Sequence, residues 1–146
     1  MFNALLSLPF LFIAMDADSP VTLFDLLAFG ISFSGVFLEA LSDEQLKEFK
    51  SNSSNKGKVC DVKLWSYSRH PNYFFESCIW FGFFLLGVVH PNGIFGIVAP
   101  LAILYTLLKF TGIPATEAEA LRTRGELYKK YQDRVSMFIP LPPKRG

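Results

Sequence analysis

Charge is scarce in this chain and cysteine scarcer still. Only 18% of the 146 residues are Asp, Glu, Lys or Arg. No lysine or arginine precedes Lys47. With no basic residue ahead of the apolar run Phe2 to Met15, a secretory signal peptide is disfavoured. The two cysteines, Cys60 and Cys78, cannot form a disulfide framework or a cysteine metal motif, so no metal site is expected. The formal net charge is +1, and the basic residues are interleaved with acids, which argues against a nucleic-acid partner.

What the chain has instead is apolar mass. Hydrophobic residues make up 51%, aromatic residues 16%, and mean hydropathy is +0.31. This composition points to an all-α, polytopic membrane helix bundle formed as a single membrane domain over residues 1–146. Val21 to Leu41, Tyr73 to Val89 and Ile94 to Phe110 each approach the roughly 20 residues that cross a bilayer core. Phe2 to Met15 is shorter and reads as a partial span, an interfacial helix or part of a longer element. The expected total is about four membrane segments.

All 14 Lys and Arg fall between Lys47 and Arg69 or between Lys109 and Arg145. The connectors Asp16 to Pro20 and His90 to Gly93 contain none. With four crossings both basic regions share one face, which the positive-inside tendency makes cytoplasmic, together with both termini.

Local chemistry places the remaining elements. The second span is expected to continue as a helix to Lys50, with Glu39, Asp43 and Lys47 along one face. Ser51 to Lys58 reads as a mobile polar loop, and Pro91-Asn92-Gly93 as a tight turn. Thr116-x-x-Glu119 resembles a capping box opening an amphipathic cytoplasmic helix that runs to about Arg134. Leu121, Tyr128 and Tyr131 share one face of it. Phe138 to Pro143 is too proline-rich to be helical and is expected as an extended strip.

The densest chemistry lies in Leu64 to Glu76. Pro71 suits the first turn of a helix, where its missing N–H costs nothing, and Ser68 or His70 is placed to cap the free donors before it. Arg69, and His70 when protonated, add charge to that helix start, a combination suited to a phosphate or carboxylate at a membrane surface. The plainer reading is an interfacial helix start whose polar residues meet lipid headgroups.

Several blocks together resemble the steroid 5-alpha-reductase C-terminal-domain family of integral membrane proteins. They are Glu39-Ala40-Leu41-Ser42-Asp43-Glu44-Gln45, Phe49-Lys50, Leu64-Trp65-x-Tyr67-Ser68-Arg69-His70-Pro71-Asn72-Tyr73-Phe74-x-Glu76, Trp80 and Gly82, Thr111-Gly112-Ile113-Pro114-x-x-Glu117, and Tyr128-x-x-Tyr131 with Phe138-Ile139-Pro140. They cover about residues 34–144. The superfamily also holds sterol C14 reductases and isoprenylcysteine carboxyl methyltransferases.

The resemblance implies NADPH in a cytosol-facing cavity and hydride transfer to a conjugated double bond of a steroid or other lipid, with the endoplasmic reticulum as the membrane that family analogy suggests. It implies that Glu39 and Asp43 bond polar parts of the cofactor, that Arg69 and His70 face its phosphates, and that Asn72 and Tyr73 hold the nicotinamide or ribose side. Glu76 would orient neighbours, and Tyr128 and Tyr131 would close the cavity. In such reductases the residues that polarise the enone come from N-terminal helices, and Phe2 to Met15 offers no Tyr, Glu or His. The catalytic candidates are then Tyr67, Tyr73 and Glu76, with Tyr105 as a further substitute. The alternatives are a non-catalytic cofactor binder or an S-adenosylmethionine-dependent methyltransferase, in which Arg69, His70 and Tyr73 cradle the cofactor and Glu117 or Glu119 holds its amino group.

Overall fold

A computed structural model describes residues 2–16 and 18–144, and the side chains of all of these but Phe2. The described residues are all-helical, with no strand: α1 Phe2–Leu6, α2 Leu8–Met15, α3 Leu23–Ser51, α4 Pro71–Gly87, α5 Val98–Tyr105, α6 Ile113–Arg124 and α7 Glu126–Arg134. Two helical stretches, Leu23–Ser51 and Gly93–Arg124, are long and apolar enough to cross a membrane. Only 17% and 22% of their apolar windows are buried, so each presents most of its hydrophobic side chains outward. The second stretch is apolar in its first half alone. Its C-terminal part, α6, carries Glu117, Glu119, Arg122 and Arg124 and lies beyond the span.

The chain sorts into two compact units, Met1–Phe37 with Glu76–Thr106, and Leu38–Phe75 with Leu107–Gly146. In the first, α1 and α2 are separated at Ser7, and α1 packs with α5. Phe10 meets Trp80 and Phe83 with ring centroids at 6.2 and 4.8 Å, and Phe12 stacks on His90. The Pro91-Asn92-Gly93 turn forms as the sequence suggests, with the Gly93 N–H donating to His90 O at 2.7 Å.

The second unit holds the chemistry. α3 continues to Ser51, as its periodicity requires, but Lys47 pairs with Glu44 rather than with Asp43. Pro71 opens α4, and the Ser68 hydroxyl accepts the His70 N–H immediately before it. The same hydroxyl donates to Phe138 O, tying the helix start to the C-terminal strip. That strip is not helical and is held by Leu141 N–H to Tyr67 O and Lys144 N–H to Arg134 O, both at 3.0 Å.

The polar segment after α3 contains a short 3-10 turn, Ser53–Asn55, capped by the Asn52 side chain. One local expectation is corrected. The helix expected from Thr116 to Arg134 starts three residues earlier and breaks in the middle. Pro114 sits in its first turn, Gly112 precedes it, and the Thr116 hydroxyl turns back to Gly112 O and Ile113 O instead of capping. Glu119, freed from any capping box, grips Arg122. The break falls at Gly125, whose φ of +51° is left-handed and costly for a side chain with a Cβ. Beyond it, Tyr128, Tyr131 and Val135 bury themselves with Ala120, and Val59 and Leu121 pack against them.

Candidate functional site

A cavity of about 410 Å³ lies within the second unit, a volume typical of small-molecule and cofactor sites. Its walls come from the end of α3, the 55–60 segment, Trp65, the start of α4, and one face each of α6 and α7. The cavity brings Arg69, His70, Asn72 and Tyr73 together with Tyr128 and Tyr131, from two stretches that lie far apart in the sequence.

Arg69 does not stand free to meet a ligand with its whole guanidinium. Its side chain is 9% exposed; Nε donates to Glu117 Oε1 at 2.6 Å, and Nη1 donates to Gln132 O and Val135 O. The two carbonyls belong to the end of α7, where the helix leaves acceptors unmatched and where positive charge is favoured. Glu117 is the hub of this cluster. It also faces His70 Nε2 at 3.3 Å and accepts from Tyr128 Oη at 3.3 Å and Gln132 Nε2 at 2.9 Å. Burial pushes its carboxyl up, but the hydrogen bonds from His70 and Arg69, the Arg69 charge and Gln132 outweigh burial and hold it down at about 2. Glu117 is therefore an anion whose charge is consumed by protein donors.

The tyrosines are fixed in the same way. Tyr131 Oη donates to Trp65 O, with Ser68 O also within 3.3 Å, while Trp65 Nε1 donates to Ser42 O at 2.9 Å. Burial pushes both the Tyr128 and Tyr131 phenols well above their ordinary range, so both stay protonated. His70 and Tyr73 stack with rings 5.5 Å apart and nearly parallel.

Asn72 carries an unmet need. Its Nδ2 donates to Asp43 Oδ1 at 3.0 Å, and a carboxylate can only accept, so Asp43 sets which way the amide points. Asn72 Oδ1 is then buried and has no donor. Asn72 lines the cavity, and its unsatisfied acceptor is a buried one beside it.

The other candidates lie elsewhere. Asp43 is exposed and reaches the site through Asn72, and Glu39 lies one turn earlier on α3, off the cavity wall. Tyr67 is 46% exposed and does not line the cavity. Glu76 and Tyr105 belong to the first unit. Glu119 is committed to Arg122 on the surface.

The strongest electrostatic feature was not assigned a role from sequence. Lys50, Lys56, Lys58 and Arg124 line the cavity together with Arg69, and among the described residues no carboxylate does. Lys56 and Lys58 sit on the segment read from the sequence as a mobile polar loop. The available signal was the run Ser51 to Val59, which holds two lysines around Gly57 and no acid.

No curated protein and no solved structure matches the chain. A family model does match, over residues 1–135, nearly the whole chain and including every residue of the Arg69–Glu117 cluster. An all-helical chain with two membrane-length helices and this buried cluster is thus a member of the family described as protein of unknown function DUF1295.

Proposed function

We propose that this chain is a membrane oxidoreductase of steroid 5-alpha-reductase type, which holds NADPH in the cavity of its second unit and reduces a conjugated carbon-carbon double bond of a steroid or other lipid. The observation that carries this reading is the charge of the cavity wall: Lys50, Lys56, Lys58 and Arg124 line it together with Arg69, whose charge Glu117 takes up, and among the described residues no carboxylate lines it. NADPH brings a pyrophosphate and a phosphate monoester to such a wall, and the stranded Asn72 Oδ1 can take a ribose hydroxyl or carboxamide N–H. Tyr73, stacked on His70, offers a flat face to a ring.

NADPH supplies the hydride when bound. The protein's part is to orient cofactor and lipid and to exclude water. Tyr73 is the cavity-lining member of the catalytic candidates and the best placed to give a proton to the reduced lipid. The lipid would enter from the bilayer, in keeping with outward-facing apolar helices. In this reading the chain crosses the membrane about four times, with both basic regions on the cytoplasmic side.

The methyltransferase alternative is weakened by the same chemistry. S-adenosylmethionine carries a sulfonium and an ammonium against one carboxylate, and a cationic wall repels it. Glu117 and Glu119, the groups needed for its ammonium, are already engaged by Arg69 and Arg122.

The test is equilibrium binding of NADPH and S-adenosylmethionine to the detergent-purified chain, side by side. Saturable binding of NADPH alone supports the reductase reading. Binding of S-adenosylmethionine alone moves the protein to the methyltransferase class, and binding of neither removes the cofactor site.

A further inference from the structure

The C-terminal strip turns its apolar side chains outward. From Ser136 to Leu141 exposure alternates: Ser136, Phe138 and Pro140 are half-buried, whereas Met137, Ile139 and Leu141 are 43, 54 and 52% exposed. A segment that alternates beside water usually sends its polar residues out, and here the outward set is three large apolar side chains. Tyr67, whose carbonyl accepts the Leu141 N–H, is exposed as well.

The strip is not free to turn over and hide them. The Arg69 N–H donates to Ser136 O and Ser68 Oγ to Phe138 O, both at 2.8 Å, and the Phe138 ring meets Phe74, in the first turn of α4, with centroids 5.6 Å apart. Its backbone is also prepared for a medium poor in water. From Pro140 to Lys144 every N–H is either absent or bonded: Pro140, Pro142 and Pro143 have none, and those of Leu141 and Lys144 reach Tyr67 O and Arg134 O. Such satisfaction counts for little in water and for much beside hydrocarbon.

We infer that Met137, Ile139 and Leu141, with Tyr67, seat this strip in the boundary between headgroups and acyl chains, in the leaflet on the side of the two basic regions, and that Lys144 meets anionic lipid there. The inference rests on the membrane-crossing part of the reading above and not on the cofactor. The strip runs into Lys144-Arg145, and no acidic residue follows Asp133, a charge pattern complementary to an anionic leaflet. A second copy of the chain is a poorer occupant, because these four side chains fall far short of the roughly 20–30 residues a side that a stable protein interface takes. Seating at a bilayer boundary needs only apolar side chains beside cations. Because the strip is bonded to the backbone of Tyr67, Ser68 and Arg69, its seating sets the depth of the polar cluster at the start of α4.

The test uses the full chain, with Cys60 and Cys78 replaced by serine, in vesicles of phosphatidylcholine and phosphatidylglycerol. A fluorophore on Ile139→Cys reports the strip, one on Phe33→Cys the membrane-length part of α3, and one on Ser53→Cys the polar segment, with thermal unfolding to verify each variant. A shallow spin-labelled lipid should quench the Ile139 probe about twofold or more over the Ser53 probe, and iodide on both sides of the membrane should quench them in the reverse order. Iodide quenching of the Ile139 probe equal to that of the Ser53 probe overturns the inference, and lipid quenching at Phe33 then leaves the membrane reading standing. An Ile139 probe shielded from both quenchers overturns it in favour of a protein contact. A Phe33 probe that neither shallow nor deep spin-labelled lipid quenches overturns the membrane reading and the inference with it. Lys144→Gln, or omission of phosphatidylglycerol, should weaken lipid quenching of the Ile139 probe, and no change in either overturns the role given to Lys144.

Discussion

Arg69 Nε and Glu117 Oε1 lie 2.6 Å apart across 48 positions of sequence, with both side chains largely buried. The pair joins the segment two residues before the start of α4 to α6, and through the Arg69 bonds to Gln132 O and Val135 O it also fastens the end of α7. The site is therefore assembled around an internal ion pair, and its members have structural duties that precede any ligand.

Removing one side of such a pair strands the other. Arg69→Ala should cost about 3–5 kcal/mol of stability, because Glu117 and two carbonyls lose their donor. Thermal unfolding in detergent reads this directly. An unchanged melting temperature combined with lost NADPH binding would instead make Arg69 a direct ligand of the cofactor.

The same pair gives a pH dependence with a definite sign. The Glu117 carboxyl is held down at about 2, below its ordinary value of 4.5, so the unfolded chain takes up its proton first as pH falls. Its stabilisation is complete above about pH 4.5 and is lost progressively down to about pH 2, a change of roughly 3 kcal/mol. Glu117→Gln should flatten this part of the stability profile. An equal slope in the variant would assign acid sensitivity to other carboxylates.

Asn72 separates binding from folding. Asn72→Leu removes one exposed hydrogen bond to Asp43 and also a buried acceptor that has no donor. Stability should change little, whereas NADPH affinity should fall by about 1–3 kcal/mol if the ligand satisfies Oδ1. An unchanged dissociation constant would remove Asn72 from the site.

How far the sequence reached depended on whether the determinant was local. Pro71 and the residues just before it announce a helix start, because proline geometry and capping act within a few positions. The helical continuation to Ser51 follows from periodicity. The break at Gly125 was passed over because one glycine inside an amphipathic pattern signals little until its backbone angle is known. Lys47 illustrates the same limit, since Glu44 and Asp43 both lie within reach and only side-chain geometry chooses between them. The reach of Arg69 to Glu117, and the gathering of Lys56, Lys58 and Arg124, are long-range facts that no periodicity encodes.

Topology is open to a chemical test. With Cys60 and Cys78 replaced by serine, single cysteines at Ser53 and Asn92 should react with a membrane-impermeant maleimide from opposite faces of sealed vesicles. Labelling from one face only would contradict the arrangement of about four crossings.

The central claim, that the cavity holds NADPH, can be located with one tryptophan. Trp65 lines the cavity and Trp80 belongs to the other unit, so Trp80→Phe leaves a single emitter at the site. NADPH titrated into this variant should quench Trp65 emission saturably and raise nicotinamide fluorescence by energy transfer. Saturable NADPH binding that leaves Trp65 emission untouched, or no binding, would contradict the account.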